Sequence, residues 1–458
     1  MSVEWLLDLC RGYGKADCIV HDESTAGYEE FVAEVATWQN RLAERSVAPG
    51  AVVGIVSDFT LSACALLLAL IENGNMVVPL MPVTYARRKE FLDIAGVAHV
   101  FKPDLDEYVK RDTTAARHPL YAELDARGEA GLVLFSSGST GAPKAALHSF
   151  PNLLEKFKTR RPALRTLTFL LLDHIGGINT FFHTVSNGGT VVSTTDRSPE
   201  AVCGLIEKCK IELLPVSPTF LNLLLLSGAY KDHDLSALKI ISYGTEPMPQ
   251  STLDRLSREF PGVRLLQTYG LSEVGIFRSK SESNDSLWFK IGGDGFETKI
   301  VDGILWVRSK SSILGYLNHE SPFDADGWMN TGDEVEVKGE YIRIRGRKKE
   351  VINVGGEKVY PIEVESALLE LDNIQDAIVY AEPSPILGQM VVATVKLVDP
   401  EPAAELKSRV RRTLKGKLEP FKVPQKIVVS DENQFNERFK RMRLMRREGE
   451  DVVGVHGG

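Results

Sequence analysis

Four stretches of this chain combine residue types that can do chemistry together. In LVLFSSGSTGAPKAAL (132–147) an apolar run breaks into Ser136, Ser137, Gly138, Ser139, Thr140 and Gly141, followed by Pro143 and Lys144. Small residues let backbone amides approach an anion, hydroxyls add donors and a lysine adds charge, so this is phosphate-binding chemistry. It is not the G-x-x-x-x-G-K-[ST] loop, because Lys144 stands between Pro143 and Ala145. In QTYGLSEVG (267–275) an apolar run ends at Tyr269-Gly270, with Ser272 and Glu273 after it. An aromatic face there can stack on a purine, and a carboxylate beside a hydroxyl can hold Mg2+ against phosphate oxygens. In WMNTGDEVEV (328–337) Asp333 closes a T-G-D turn, where a fixed carboxylate suits both hydroxyls of a ribose. In RGRKKEVINVGGEKVYPIEVE (345–365) Arg347, Lys348 and Lys349 precede Gly355-Gly356, a pair that permits either close approach of a ligand or a tight turn. Each stretch also has a plain reading: a surface loop, a strand-to-helix turn, a structural turn aspartate, a solvated basic face.

The elements that must hold these residues are legible in the hydrophobic pattern. Apolar runs at 52–56, 76–80, 167–172, 190–194, 211–216, 238–242 and 263–267 alternate with helical patterns near 59–72, 84–95, 177–186, 198–209, 218–227 and 249–260. Continuously apolar strands separated by helices predict an α/β fold with doubly wound parallel sheets covered on both faces. After about Gly275 the pieces become short strands with turns, at 296–309 and as a hairpin at 335–346. A helix is expected over 361–371, strands over 374–382 and 390–398, and a basic helix over 403–418. These shifts divide the chain into an N-terminal domain, 1–346, and a C-terminal domain, 347–458, whose Gly-rich tail beyond Arg447 is expected to fray.

Composition narrows the functional classes. The 458 residues carry 54 Lys and Arg against 62 Asp and Glu, a net charge of −8, which gives no field for nucleic acid. Cys10, Cys18, Cys64, Cys203 and Cys209 are odd in number and lack C-x-x-C spacing, so neither a disulfide framework nor a zinc site is expected, and a reduced, cytoplasmic compartment fits. The opening MSVEWLLDLCRG lacks the basic and apolar regions of a signal peptide. The longest apolar run, 63–71, is far short of the ~20 residues of a membrane span and predicts a buried helix instead.

In order and spacing, the four stretches resemble the adenylate-forming superfamily of acyl- and aryl-CoA synthetases, peptide adenylation domains and luciferases. The family's [ST]SG[ST][ST]GxPK is matched at 136–144, its Y-G-x-[ST]-E at 269–273, its T-G-D at 331–333, and its GRxK[DE]xI…G…P-x-E-[IV]-E at 346–365. The resemblance implies a large N-terminal domain of doubly wound sheets plus a small β-barrel, followed by a small mobile α+β domain hinged near Lys349. It implies activation of a carboxylic acid by Mg2+ and ATP to an acyl-adenylate with release of pyrophosphate. Transfer to a thiol follows, that of CoA or of a carrier-protein phosphopantetheine.

By the same resemblance, Ser136 to Gly141 and Lys144 cover the β- and γ-phosphates. Gly244, Thr245, Glu246, Tyr269 and Gly270 lie on the adenine side. Ser272 binds phosphate, Glu273 ligates Mg2+, and Asp333 and Arg347 hold the ribose. His174, in LLLDHIGG, aligns with a ring beside the substrate carboxylate, and Gly355-Gly356 line the thioester pose. The catalytic C-terminal lysine falls on Lys440, within a degraded motif, QFNERFKRMR, that keeps only K-x-x-R; Lys422 and Lys426 stay open as alternatives. Ile175 stands where amino-acid-activating relatives carry an acidic residue, which favours a fatty, aryl or other organic acid. Two further readings are an adenylating enzyme with a carrier-protein or amine acceptor, and a weakened nucleotide-binding protein without turnover.

Overall fold

The computed structural model describes residues 3–87, 89–113, 116–137 and 143–432. Two seven-stranded sheets form its centre. In the first, the spatial order is 315–316, 143–149, 131–137, 76–80, 52–56, 99–102, 107–110. Its middle strands are parallel, and the 131–137 and 143–149 strands pair antiparallel, with Ser136 opposite Lys144. In the second, the order is 264–267, 240–243, 213–216, 165–167, 190–193, 17–21, 24–27, parallel except for the last hairpin. The helix Leu61–Glu72 is apolar on every face, and every residue from Ala63 to Ile71 is buried in a core shared by both sheets. An all-round apolar helix has no solvent face to offer, so it must lie in the core.

A third sheet, antiparallel and six-stranded, runs 278–281, 289–292, 341–347, 329–338, 304–309, 296–301; it holds the positions expected for the small barrel. A separate C-terminal domain follows. Its sheet pairs 374–384 antiparallel with 388–397, adds 352–354, 357–359 and 426–429, and packs helices Pro361–Leu369 and Ala403–Leu414 on its own apolar core. All five cysteines are buried free thiols. Among the described residues no helix is long and apolar enough to cross a membrane.

Two expected elements differ. The helix expected over 84–95 is two short helices, Pro82–Arg87 and Glu90–Ile94. The strand expected over 167–172 ends at Leu167. Beyond it the 170–171 carbonyls cross the start of the next helix, Ile175–Ser186, so closely that a Cβ on Gly177 would lie 2.0 Å from the Leu171 oxygen. Only glycine fits that crossing.

The two central sheets are tied by a buried ion pair. Arg197 meets Asp58 at 2.5 Å, with both side chains almost fully shielded, and its Nε donates to the Phe169 carbonyl. Removing one partner of such a pair strands a charge in low dielectric. Asp58→Ala is therefore expected to lower the unfolding free energy by about 3–5 kcal/mol in urea denaturation, and Asp58→Ala with Arg197→Met to recover much of the loss.

Candidate active site

The motif residues meet where the three N-terminal sheets adjoin. The strand Arg264–Gln267 leads to Tyr269, whose ring is buried against Phe277 and Phe289. Its hydroxyl donates to Asp333 Oδ2 at 2.7 Å across 64 residues of sequence. Burial, then the Asp333 charge, pushes the Tyr269 phenol well above its ordinary range, so it stays a donor. Asp333 is fixed further from its own side: its amide donates to Thr331 Oγ1, and it stands opposite Arg347 in the ladder, with the Arg347 Nε 3.6 Å from Oδ1. The aspartate is shielded while Arg347 is half exposed. One carboxylate thus gathers the second, third and fourth motifs into one array.

A parallel arrangement serves the first motif. After Tyr269 the chain makes a small hairpin, Gly270–Leu271 with Gly275–Ile276, and Glu273 lies in its turn. Tyr316 donates to Glu273 Oε1 at 2.6 Å. The Lys144 ammonium lies 5.3 Å from the centroid of the same ring. Tyr316 pairs with Ala146 on the strand that carries Lys144, and exposed Asn318 clamps that strand by accepting from Ala145 N and donating to the Pro143 carbonyl. Tyr316 and Asn318 were missed as functional in the sequence, although the Gly315-Tyr316 pair was visible there. Ser136 and Lys144 frame the loop; Gly138, Ser139, Thr140 and Gly141 lie outside the described residues, as does Lys440, and the Ser137 side chain is likewise not described.

Other expected residues have well-defined local work. His174 caps the helix Ile175–Ser186, its Nδ1 accepting from Gly176 N at 3.0 Å, which leaves the proton on Nε2 in the neutral ring. Glu246 accepts from Thr219 N and Thr219 Oγ1, at the start of the helix Pro218–Ser227. Thr245 is left-handed at φ 73°, and a Cβ on its neighbour Gly244 would lie 2.5 Å from Thr268 Oγ1, so this turn presses tightly on the Tyr269 segment. Ser272 lies partly exposed beside Glu273. Gly355 and Gly356 are the left-handed central pair of a two-residue hairpin joining 352–354 to 357–359; of the two readings open in the sequence, the tight turn is realised. Lys422 pairs with Glu363 and Glu419, and Lys426 with Glu382, so both alternatives to Lys440 are engaged in ion pairs.

The residues fit Mg2+ bound through a substrate. Among the described residues no group of three or more His, Cys, Asp or Glu side chains could hold a metal by itself. Glu273, half exposed and oriented by Tyr316, supplies one carboxylate, and Mg2+ commonly takes one or two carboxylates with the rest of its shell from phosphate and water.

The chain matches the profile of the AMP-binding enzymes over residues 8–317 and that of their C-terminal domain over 363–440. It belongs to the AMP-binding enzyme family. It is 31% identical over 328 residues to an indoleacetate–CoA ligase of Aromatoleum aromaticum, covering 66% of this chain and 63% of that one. The chain thus spans less than two thirds of that relative's length. A medium/long-chain-fatty-acid–[acyl-carrier-protein] ligase of Mycobacterium tuberculosis is 26% identical over 480 aligned positions, covering 89% and 87%. The fold is that of the anthranilate–CoA ligase solved with anthranoyl-AMP (TM-score 0.81, 18% identity, 95% of each chain). It is equally that of the Bacillus subtilis o-succinylbenzoate–CoA synthetase solved with its acyl-adenylate (TM-score 0.77, 21% identity, 98% of each chain).

His148, on the Lys144 strand, has both ring nitrogens buried, with no well-formed hydrogen bond among the described residues. Burial lowers its pKa to about 4, weakly opposed by the Ser311 and Ser272 carbonyls. The unfolded chain takes up this proton near pH 6.5 and the folded chain near 4. His148 therefore opposes folding progressively as pH falls from about 6.5 to 4, by of order 3 kcal/mol. Denaturant titrations at pH 7 and pH 4.5 should show this component, and it should vanish in His148→Leu.

Proposed function

We propose that the chain is an AMP-forming acid–thiol ligase that activates a carboxylic acid with ATP and passes the acyl group to CoA. The observation that carries this reading is the pair of phenol-anchored carboxylates, Asp333 held by Tyr269 and Glu273 by Tyr316 beside Lys144. Asp333 suits the ribose hydroxyls and Arg347 closes over them. The loop from Ser136 to Lys144 suits the β- and γ-phosphates, with Ser272 beside them. Mg2+ on Glu273 would offset charge on the triphosphate.

A carboxylate attacking a triphosphate meets strong repulsion, so the residues that matter most are fixed donors and cations. Lys144 neutralises the leaving pyrophosphate. His174, with its Nε2 proton, suits a position beside the attacking carboxylate. The C-terminal domain, 347–458, turning at exposed Lys349, would bring Lys440 to the α-phosphate and then present the Gly355-Gly356 turn to the pantetheine arm. In-line attack and thiol attack need different groups, which one rotating lid can supply in turn. The five free thiols suit a cytoplasmic location. Ile175 after His174 favours an organic acid without an α-ammonium, and the CoA-ligase relatives favour CoA. A carrier-protein thiol is the second reading, favoured by the acyl-carrier-protein ligase among the relatives.

Pyrophosphate release from Mg-ATP, measured over fatty, aryl, hydroxy and amino acids with and without CoA, tests this. Release is expected to require a particular organic acid and to rise with CoA as acyl-CoA forms. Acid-dependent release indifferent to CoA would move the acceptor to a carrier protein or amine. Nucleotide binding without release over the whole panel would sink the ligase reading. Lys440→Ala is expected to slow adenylation about 10²–10³-fold while sparing thioester formation from supplied acyl-adenylate. Normal adenylation by that variant would remove Lys440 from the mechanism.

A further inference from the structure

The strand Phe296–Val301, FETKIV, stands at the end of the six-stranded third sheet. Among the described residues it has a strand neighbour on one side only, 304–309. Their ladder runs without a bulge from Phe296 with Ser309 to Val301 with Ile304, and the left-handed pair Asp302 and Gly303 closes it. Glu297, Thr298, Ile300 and Val301 are exposed, and the two apolar residues among them each leave 40% of their surface open. An open strand edge is a template for another strand, and folded proteins commonly blunt it with proline or a bulge. This edge has neither.

The hairpin fixes which backbone groups face outward. Hydrogen-bonded positions alternate along an antiparallel pair, and a two-residue turn of this kind makes its flanking residues, Val301 and Ile304, such a position. The Lys310 amide, bonded to the Gly295 carbonyl, keeps the same phase at the other end. Residues 297, 299 and 301 therefore bond inward to 304–309, and Phe296, Thr298 and Ile300 turn their amides and carbonyls to the open side. The Phe296 amide already donates to the Gly293 carbonyl. The side chains alternate in step. Glu297 forks onto Arg308 at 3.0 and 2.7 Å, and the Lys299 Nζ lies 5.3 and 4.3 Å from the Trp306 and Trp328 ring centroids, on one face. Phe296 packs against Phe277 on the other.

Along this edge the sequence is its own complement. A second copy laid antiparallel about a two-fold axis at Thr298 sets Thr298 against Thr298, Phe296 against Ile300 and Glu297 against Lys299. The outward groups match in that register. Each Thr298 amide meets a Thr298 carbonyl and each Ile300 amide a Phe296 carbonyl, while the engaged Phe296 amides drop out. Sliding by two residues either way keeps the backbone match but sets Glu297 against Glu297, or Lys299 against Lys299. These are the closer, non-hydrogen-bonded positions, where like charges repel. We propose that 296–301 is a homodimerisation edge, through which two copies of this chain join their third sheets antiparallel about Thr298. The charge pattern names the occupant: each Glu297 and each Lys299 finds its opposite in a second copy of the same strand. The strand is short, so the interface is small, and a dissociation constant on the order of 10 μM is expected.

Sedimentation velocity of the full chain, from well below to well above that concentration, is the test. The wild-type chain is expected to pass from monomer to dimer. Glu297→Lys and Lys299→Glu each set like charges face to face, and each is expected to weaken the dimer by about tenfold or more. Mixed in equal amounts, the two variants again bring opposite charges together at every facing pair, and a heterodimer of wild-type strength is expected. Thr298→Pro deletes an outward amide while sparing the bonds to 304–309, and it is expected to abolish the dimer with the hairpin intact. A wild-type chain that stays monomeric throughout would overturn the assignment. So would single variants that dimerise as the wild type does, or a mixture no more dimeric than its components. Where Thr298→Pro fails to fold, the charge exchange decides, because both of its substitutions lie on exposed or half-exposed side chains.

Discussion

The hydrogen bond from a buried phenol to a shielded carboxylate is the joint on which this architecture turns. Tyr269 closes the last strand of a parallel sheet, Asp333 belongs to an antiparallel one, and their 2.7 Å contact fixes the angle between the two layers. Tyr316 repeats the device between the first sheet and the Glu273 hairpin. Burial pushes both phenols upward in pKa, so each stays protonated and keeps donating to its carboxylate. The same bonds therefore join the sheets and hold two carboxylates in fixed positions.

What could be read from the sequence followed from how local each signal was. The parallel strands and the 218–227 helix are continuous apolar runs between turn residues, and they were found almost to the residue. The 167–172 segment was read as strand throughout because its apolar side chains are indeed buried. What removes its later part from the sheet is a backbone crossing at Gly177, a contact between chain segments that periodicity cannot express. In the site, Asp333 and Glu273 stood out by motif, whereas Tyr316 and Asn318 did not. Their roles depend on a strand pairing between residues some 170 positions apart, Tyr316 with Ala146. His174 and Glu246 show the opposite case: residues conspicuous in the sequence whose visible hydrogen bonds are to helix starts. A helix cap and a place in the site are compatible for His174, since its cap uses only Nδ1.

Among the described residues, a set of polar contacts joins the C-terminal domain to the rest. Tyr360 and Lys358 share Glu334, Arg345 stacks on the Tyr360 ring and reaches Glu363, and Ser366 bonds Ser251. Asn222 donates to the Gln375 carbonyl. Contacts of this kind exchange readily with water and resemble a transient interface more than a shared core. The domain keeps its own apolar core, so it can change partners as a rigid piece. The placement of the described part of this domain thus rests on contacts that water can replace, whereas its internal structure rests on its own apolar core.

The ring of Tyr316 has two clients: its hydroxyl serves Glu273 and its face receives the Lys144 ammonium. Before any ligand arrives, the lysine already has a partner that is weak, aromatic and carries no formal charge. An incoming anion must win the cation from this resting perch, and a polyphosphate is far better equipped to do so than a monophosphate. On the proposed reading, the perch would act as a threshold that only richly charged ligands cross.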